Sequence, residues 1–292
     1  MDTALTELGA CDSCPRHCRV DRTAGETGVC RTGRFARVAN AGPHFGEEQC
    51  LSGDRGSGTI FFGACNMRCV FCQNWNTSQR DEGSEAPADD IAAIMIGLQE
   101  EGCHNVNLVS PSHIVPQVIE AVATAAALGL HLPVVYNTSA YDSIHSLRLL
   151  DGIVDIYMPD FKFWKSETAM RFTGASDYPD RARAAILEMH RQTGPLRFGP
   201  DGVARRGVLV RHLVMPGLGD EAAAIFAWLG EAVSRDTCVN VMGQYRPDFQ
   251  VGRRVADGPG KYGEIGRPVT SAELDAARAA ARRAGLWRFE GS

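Results

Sequence analysis

Residues 61–75 read FFGACNMRCVFCQNW and place three cysteines, Cys65, Cys69 and Cys72, in a C-x3-C-x2-C pattern. The run follows directly on residues 58–62, GTIFF, whose β-branched and aromatic side chains predict a strand. Thiolates are the usual ligands of a cubic iron–sulfur cluster, and a set of three leaves one iron open to a substrate or cofactor. The stretch therefore predicts an open [4Fe-4S] cluster at the carboxyl end of the first strand.

Two blander interpretations of the three cysteines are a structural zinc site with a fourth ligand from elsewhere, and buried thiols that bind nothing. Free buried cysteines are common, but such a grouping at a strand end is not, which argues against both. Phe71, between the last two cysteines, supports the cluster because its ring can pack on an adenine beside it.

Short apolar runs alternate with longer helical patterns from about residue 58 onward, which is typical of a parallel sheet with crossover helices. The predicted strands lie at residues 58–62, 105–110, 133–137, 154–158, 207–214 and 238–243. The predicted helices lie at residues 88–102, 114–129, 166–174, 180–194 and 219–233. Six β/α units are too few for an eight-stranded barrel and predict an α/β fold with an open, partial (β/α)6 barrel. Ligands of such barrels sit at the carboxyl ends of the strands.

The chain divides into three predicted parts: a Cys-rich metal-binding module at 1–50, a barrel core at 51–245, and a flap segment with a C-terminal helix at 246–292. The Gly/Pro/Arg-rich residues 246–269 are predicted to form an ordered flap over the barrel mouth, because long structureless loops are uncommon inside compact domains. Thr270 and Glu273 predict a capping box at the start of the final helix.

The front module carries a second cysteine motif, in which Cys11, Cys14, Cys18 and Cys30 have the spacing C-x2-C-x3-C-x11-C. Four thiolates are enough for a closed site, either structural zinc or a second iron–sulfur cluster, and spacing alone does not select the metal. A module with so few large apolar side chains would be marginal without such a staple. Cys50 is a spare that can replace one of the four.

Composition excludes several classes of protein. The 30 Lys and Arg against 35 Asp and Glu leave a formal charge of −5, so no broad cationic face is implied, only a local patch such as RRVADGPGK at 253–261. The N-terminus has no secretory signal, and the longest apolar run, around 91–98, is far shorter than the roughly 20 residues that cross a bilayer. We therefore expect a cytoplasmic protein without nucleic-acid or membrane partners, whose 10 cysteines serve metal or redox chemistry.

The three-cysteine motif resembles that of the radical S-adenosylmethionine (SAM) superfamily, which reads C-x3-C-x-(aromatic)-C after the first strand of a (β/α)6 barrel. More narrowly, the chain looks like uncharacterised relatives of the pyruvate formate-lyase activating enzyme, which share the front cysteines and a stretch like EEQCLSGDRGSGTIFF, residues 47–62. The resemblance implies that SAM chelates the open iron and that one electron cleaves it to a 5′-deoxyadenosyl radical, which abstracts a hydrogen atom. The cofactor then carries the difficult chemistry, in keeping with the lack of a convincing hydrolytic triad or carboxylate pair.

The resemblance assigns further residues after the third and fourth strands, in YNTS and YMPDFK. It implies that Thr138, the backbone carbonyl of Met158 and Asp160 surround a monovalent cation beside the SAM carboxylate, with Lys162 at the family's lysine position. Asn137 departs from the pattern by replacing a carboxylate with an amide, although it stays a candidate cofactor contact. The alternative is that Asp160 and Lys162 are only a strand-end ion pair.

The fifth and sixth strands carry the remaining candidates. Arg211, in VRHLVMPG, matches the family's arginine near the cofactor and needs an anion, either the SAM carboxylate or a nearby Asp. Gln244 or Tyr245, in VMGQYRP, matches a segment that reaches the adenosyl group, although Tyr245 can equally be an ordinary packed aromatic.

The second strand departs most from the family, because VSPSH stands where the superfamily often has Gly-Gly-Glu for the cofactor's amino group. Ser110, Ser112 and His113, or backbone carbonyls, must supply the polar groups, and a lone His is more often structural. Cys103 and Cys238 precede the second and sixth strands, at the amino end of the barrel, and are predicted to be structural.

The sequence thus predicts a radical SAM enzyme, with two options for its substrate. It either activates a partner by making a glycyl radical on that protein's backbone, or modifies a small molecule or peptide directly. Both options imply an electron donor of the flavodoxin or ferredoxin type. The rival from another class, a non-enzymatic iron–sulfur or zinc protein that carries electrons or scaffolds a partner, does not account for the matches at Asp160, Lys162 and Arg211.

Overall fold

A sheet of ten strands organises the computed structural model, which describes residues 2–80, 82–252 and 261–290. The strands are β1 Ala36–His44, β2 Ser57–Phe62, β3 Ser84–Ala86, β4 Val106–Val109, β5 Val134–Thr138, β6 Ile156–Pro159, β7 Arg197–Phe198, β8 Ala204–Leu213, β9 Cys238–Met242 and β10 Arg288–Phe289. The helices are α1 Asp2–Thr6, α2 Gln49–Ser52, α3 Trp75–Gln79, α4 Ala88–Glu100, α5 Val115–Ala127, α6 Ile144–Leu149, α7 Ser166–Thr173, α8 Tyr178–Thr193, α9 Gly219–Trp228 and α10 Ser271–Arg283. A π-helical segment, Leu229–Val233, continues α9.

The strand order is β10-β9-β8-β6-β5-β4-β2-β1-β3, and β7 pairs with β8. The run from β2 through β4, β5, β6, β8 and β9 to β10 is parallel, whereas β1 pairs antiparallel with β2 and with β3. The six predicted strands are β2, β4, β5, β6, β8 and β9, and all are confirmed. The path ends at β3 and β10 without closing, so the prediction of an open, partial barrel is also confirmed.

The sequence does not predict the strands β1, β3, β7 and β10 or the short helices α1, α2, α3 and α6, and two of these show why. β1 lies in the region expected to lack periodicity, and its sequence, ARVANAGPH, is a weak strand pattern because it contains Gly and Pro. Pairing with β2 from Val38 to His44 holds it in place, so it is an effect of tertiary structure. α6, of six residues, falls between the predicted third and fourth strands and is too short for a clear periodic signal.

The two faces of the parallel strands have different partners, because side chains alternate along a strand. Leu108, Tyr136 and Tyr157 belong to the main apolar core, which the surrounding helices share. Val135 and Ile156, one position away and in register with each other, belong to a separate cluster. The second set faces the inside of the barrel.

The separate cluster closes the amino end of the barrel. It joins Cys50 and Leu51 of α2 to Val135, Ile156 and Cys238, which stand at or next to the first residues of β5, β6 and β9. Leu51 is completely buried. The short helix α2, from the segment just before the first barrel strand, is therefore the floor of the barrel.

The C-terminal part combines described and undescribed residues. The capping box at α10 is confirmed, since the Thr270 side chain accepts from the Glu273 backbone N–H and the Glu273 side chain accepts from the Thr270 backbone. Residues 253–260 of the predicted flap, which hold most of the RRVADGPGK patch, lie outside the described residues. In the part of the chain that the structure describes, no helix combines the length and apolar character needed to span a bilayer.

Candidate functional site

A cavity of about 400 Å³ opens at the carboxyl ends of the parallel strands. Cys65, Cys69 and Cys72 line it, although they belong to a loop rather than to one element. The other predicted site residues that line it are Phe71, Ser110, Asn137, Thr138, Asp160, Lys162, Arg211 and Gln244. The structure therefore brings most of the candidates to one place, at the end of the barrel where the sequence predicted them.

The cysteine loop is held by its own backbone. Ala64 and Arg68 have positive φ values of 66° and 56°, an uncommon conformation for residues other than glycine, and these turns fold the loop back on itself. The Met67 backbone N–H donates to Cys65 Sγ at 3.4 Å. Cys72 Sγ and Ser78 Oγ of α3 are 3.2 Å apart. The thiols are thus directed by local hydrogen bonds before any metal is considered.

The donor set fits a four-iron cluster. Burial raises the pKa of Cys65 and of Cys69, and the neighbouring cysteines raise both further, whereas Lys162 lowers them. Iron binding relieves this cost, because a coordinated thiol is deprotonated outright. Within residues 2–80, 82–252 and 261–290, no three His, Cys, Asp or Glu side chains are arranged to hold a single metal ion. A cluster differs from a single ion in that each thiolate binds its own iron.

Charged side chains form a network opposite the cysteines. Lys162 Nζ donates to Asp160 Oδ2 at 2.6 Å, and Arg211 Nε donates to Asp160 Oδ1 at 2.7 Å. Burial raises the pKa of Asp160, but Arg211 and Lys162 outweigh it and hold that pKa below its usual range. Burial lowers the pKa of Lys162, and Asp160 with Cys69 more than restores it. All three side chains are therefore charged at neutral pH.

Arg211 also bridges two residues of the predicted cation site. Its Nη2 donates to Asn137 Oδ1 at 2.8 Å while its Nε donates to Asp160 Oδ1, so a guanidinium lies between these two oxygens. The Thr138 hydroxyl turns away and donates to Asp142 Oδ2 at 2.6 Å. Asn137 and Asp160 are thus arranged around an arginine, whereas the Thr138 hydroxyl takes no part in that arrangement.

Three other candidates do not line the cavity. Ser112 is buried behind Thr138, with the two hydroxyl oxygens 2.7 Å apart. The Met158 side chain is completely buried on the inner face of β6, in the floor cluster. Tyr245 donates its hydroxyl to the backbone carbonyl of Ile265 at 2.7 Å, so it packs as the ordinary aromatic that the sequence left open.

His113 is structural. It is buried, its Nε2 lies 3.2 Å from the Gly63 carbonyl oxygen, and burial lowers its pKa to about 3. Phe71 is packed among other rings, with centroids 5.9 Å from Phe163 and 6.2 Å from Tyr245, and one side of it lines the cavity. The side of Phe71 that lines the cavity can contact an adenine ring, and this contact stays a prediction.

Sequence reasoning missed two acidic residues, Glu47 and Glu48, which precede the floor helix α2. Glu47 lines the cavity and accepts from Asn107 Nδ2 at 2.6 Å. The pKa of Glu47 is raised to about 7 as the net result of three effects. Burial raises it, Arg211 lowers it, and Glu48 raises it. A pair of adjacent glutamates beside a buried segment was the only signal in the sequence, and no local pattern placed it inside the barrel.

The described part of the predicted flap contacts the cysteine loop. The Gln250 backbone N–H donates to the Val70 carbonyl at 2.9 Å. Phe249 stacks on Trp75 of α3, with ring centroids 5.4 Å apart and planes at 17°. These contacts place residues 246–252 beside the cavity rather than away from it.

The front module also reaches the cysteine loop, through one arginine. Arg16 donates from Nε to the Asn66 carbonyl at 2.8 Å and from Nη1 to the Gly174 carbonyl at 2.9 Å, with longer contacts to the Met67 and Thr173 carbonyls at 3.4 and 3.3 Å. Asn66 and Met67 lie between the first two cysteines of the motif. One guanidinium therefore joins the front module, the cysteine loop and the end of α7.

Three of the four front cysteines are buried. Cys11, Cys14 and Cys30 are buried and Cys18 is half-buried, all as free thiols. Burial raises the pKa of Cys14 to about 12, and the charges of Cys30 and Cys11 add to that. Cys50 lies in the barrel floor instead, next to Cys238, which makes it a poor substitute for one of the four.

The chain is similar in sequence to a known family and to one curated protein. A sequence model described as the radical SAM superfamily matches residues 59–229. The uncharacterized protein MJ0674 of Methanocaldococcus jannaschii is 31% identical over 274 residues, which cover 91% of this chain and 72% of that protein.

Two solved proteins have a similar fold. SuiB of Streptococcus suis, in a crystal structure bound to S-adenosylmethionine, is 12% identical and aligns with a TM-score of 0.51 over 79% of this chain and 51% of its own. Native anSMEcpe with bound AdoMet and Kp18Cys peptide is 7% identical and aligns with a TM-score of 0.51 over 78% of this chain and 60% of its own. At these identities the likeness concerns the fold alone, and this chain spans only about half to three fifths of those longer chains.

Proposed function

Because this chain belongs to the radical SAM superfamily, we propose that its cavity holds a [4Fe-4S] cluster on Cys65, Cys69 and Cys72 and a SAM molecule beside it, and that it abstracts a hydrogen atom from an organic substrate. The chain is a radical SAM enzyme. The observation that carries the finer proposal is the meeting of three thiols with Lys162 and Arg211 in one cavity. When bound, the cluster and SAM supply a one-electron reductive cleavage that yields a 5′-deoxyadenosyl radical.

The chain's own residues bind and orient the cofactor in this proposal. Lys162 and Arg211 present fixed positive charge toward a carboxylate, and Asp160 holds both in place. Ser110 and Gln244 supply polar contacts at the cavity wall. The side chains of Asp160, Lys162 and Arg211 are at most 17% exposed, so they act in a site from which water is largely excluded.

The proposed substrate is a small molecule, modified directly. The barrel floor, built by α2, closes the amino end and leaves a cavity of about 400 Å³, a size suited to a small molecule together with part of the cofactor. A peptide or protein substrate, which includes activation of a glycyl-radical partner, is the second candidate. It is favoured by the similar fold of anSMEcpe, whose structure holds a peptide.

Three further parts of the proposal concern the metal of the front cysteines, the electron donor and a monovalent cation. Cys11, Cys14, Cys18 and Cys30 bind zinc or a second iron–sulfur cluster, because four thiols lie in one small module and Cys14 is near enough to Cys30 and Cys11 for their charges to raise its pKa. In the described residues these thiols are not arranged around a single ion, so metal binding would draw them together. A one-electron donor of the flavodoxin or ferredoxin type supplies the reducing equivalent. A monovalent cation at Asn137 and Asp160 would share their oxygens with the Arg211 guanidinium, which already donates to both.

The test is anaerobic cluster reconstitution followed by reduction with dithionite in the presence of SAM, with 5′-deoxyadenosine as the measured product. Wild type is expected to form it, and Cys72→Ala to fall to background because one cluster ligand is lost. Cys103→Ala is the matched control, since Cys103 is also buried but lies at the amino end of β4, away from the cavity. No 5′-deoxyadenosine from cluster-loaded wild type, or equal amounts from Cys72→Ala, would sink the proposal.

A further inference from the structure

The inner end of the cavity is a layer of polar side chains. Glu47 and Glu48, which come just before the floor helix α2, complete it. Glu47 Oε2 accepts from Asn107 Nδ2 at 2.6 Å and lies 3.4 Å from Asn137 Nδ2. Glu48 Oε1 accepts from Asn240 Nδ2 at 2.9 Å. Asn107, Asn137 and Asn240 stand on β4, β5 and β9, so strands from across the sheet meet two glutamates that enter from below.

This layer has more negative than positive charge. Glu47 and Glu48 share one guanidinium nitrogen, Arg211 Nη1, at 3.4 and 3.6 Å. The same arginine is also committed to Asp160, which Lys162 contacts as well. When Glu47 is ionised, three carboxylates face two cations and one negative charge is left over. Burial raises the pKa of Glu47 to about 7, so a proton balances that charge when no ligand does. Among the described residues that line the cavity, no further Lys or Arg is present to balance it.

Unpaired acceptors mark the same place. The Glu48 side chain is only 4% exposed, and its Oε2 accepts no hydrogen bond from a donor group in the part of the chain that the structure describes. Asn107 is completely buried, and its Oδ1 accepts none either. A buried acceptor without a donor costs on the order of 1–3 kcal/mol, and more when it is charged. Both atoms accept only, so this layer lacks a donor unless Glu47, whose side chain reaches Glu48, is protonated.

A cation on a ligand can take the place of the proton on Glu47 and balance the charge. The Glu47 side chain is 12% exposed and lines the cavity, so a ligand can reach it from the carboxyl end of the barrel. The floor helix blocks passage at the other end, so the ligand group must be small and must enter with its cation leading. An alkylammonium donates three hydrogen bonds and a guanidinium five, whereas a neutral hydroxyl donates one and leaves the charge unbalanced.

We propose that the inner end of the cavity, with Glu47 at its centre, is a subsite for the cationic group, alkylammonium or guanidinium, of a small substrate. The inference rests on the proposed function in that it names the substrate class of that same cavity. Glu47, which lines the cavity, receives the cation directly, and Asn107 holds Glu47 through its Nδ2. Glu48 lies behind them and adds negative charge.

The experiment measures binding of a panel of straight-chain alkyl mono- and diamines and alkylguanidines, two to six carbons long. Cluster-reconstituted protein saturated with SAM is titrated by calorimetry under anaerobic conditions, and diols of the same lengths serve as neutral matches. At least one amine or guanidine is expected to bind wild type, and Glu47→Gln is expected to weaken it by about tenfold or more, since a buried charge pair is lost. The matched control Glu100→Gln removes an exposed glutamate on α4 and should bind as wild type does.

Three outcomes overturn the subsite. Either no member of the panel binds, or the diols bind as well as the amines, or Glu47→Gln binds amines as wild type does. A fourth also overturns it: if Glu47→Gln loses affinity for SAM and SAM displaces the amine from wild type, then Glu47 contacts the cofactor and not the substrate. Amine binding that depends on Glu47 in a wild type that forms no 5′-deoxyadenosine would refute the proposed function alone.

Discussion

Arg211 is the residue on which the charges of the site converge. Its three nitrogens contact Asp160, Asn137 and Glu47 in different directions, which a planar guanidinium can do and a single ammonium cannot. A lysine at this position would keep the charge but lose two of the three contacts. Arg211 therefore has a structural task, the spacing of three strands around the cavity, as well as any contact with a ligand.

Glu47 provides a prediction at the residue scale, on pH and stability. Burial raises the pKa of Glu47 from 4.5 to about 7, so the folded protein takes up a proton that the unfolded chain has released. Stability from this group is therefore full below pH 4.5 and is lost as pH rises toward 7. The glutamine of Glu47→Gln does not titrate, so the variant does not lose this stability as pH rises. Its free energy of unfolding minus that of wild type should therefore increase by on the order of 2–3 kcal/mol from pH 4.5 to pH 8.

Chemical denaturation at the two pH values measures this difference, with Glu100→Gln as the exposed control that should show none. A difference between Glu47→Gln and wild type that stays constant with pH would mean that Glu47 is not the desolvated group that its position indicates.

At the scale of elements, the contact of the front module with the cysteine loop matters most. Arg16 donates to carbonyls of the loop and of the end of α7. Arg68, within the loop, contacts the Val29 carbonyl at 3.5 Å in return. Loops with so few regular hydrogen bonds open easily, so these contacts from outside the barrel add to the loop's own hydrogen bonds in holding the thiols in place.

Arg16→Met should therefore loosen the cluster without unfolding the protein. Hydrogen bonds from a charged donor contribute about 1.5–3 kcal/mol, which corresponds to roughly tenfold or more in the opening of the loop. The measurement is the rate of iron loss from reconstituted protein to a chelator, followed by the cluster's visible absorption, with circular dichroism as the check on folding. Arg278→Met, on the exposed face of α10, is the control. Equal rates for all three proteins would remove the positioning role of Arg16.

At the scale of the whole molecule, the chain closes the barrel with segments from outside it. α2, from before the first barrel strand, forms the floor, and Glu290, just after β10, accepts from the Cys50 backbone N–H at 3.1 Å. The front module covers the cysteine loop from the other side. The stability of the front module is thus tied to the stability of the barrel, because each supplies contacts that the other lacks.

Removal of the proposed front metal is expected to affect the whole molecule. Cys14→Ser should lose zinc, or the iron beyond four atoms per chain that a second cluster would add, since Cys14 is buried among the front thiols. Elemental analysis of the purified and reconstituted proteins measures this, with Cys103→Ser as the control that should keep its metal. An unchanged metal content in Cys14→Ser would show that the front cysteines are only packed thiols.

Much of the fold was predictable because its signals are local. The strand pattern of GTIFF and the capping box of Thr270 and Glu273 each depend on residues close together in the chain. The three cysteines are also a local signal, since seven positions separate the first from the last. By contrast β1 has a weak pattern of its own and exists because β2 pairs with it.

The sequence by itself determined the six parallel strands, the end of the barrel that carries the chemistry, and the loop that presents Cys65, Cys69 and Cys72. Only the tertiary structure decided that Glu47 and Glu48 enter the barrel from its floor and that Arg211 lies among their carboxylates. Glu47 and Arg211 are 164 positions apart, and no periodicity or spacing connects residues at that distance. Their meeting depends on the curvature of the sheet and on the apolar packing of α2 beneath it, which are properties of the whole fold.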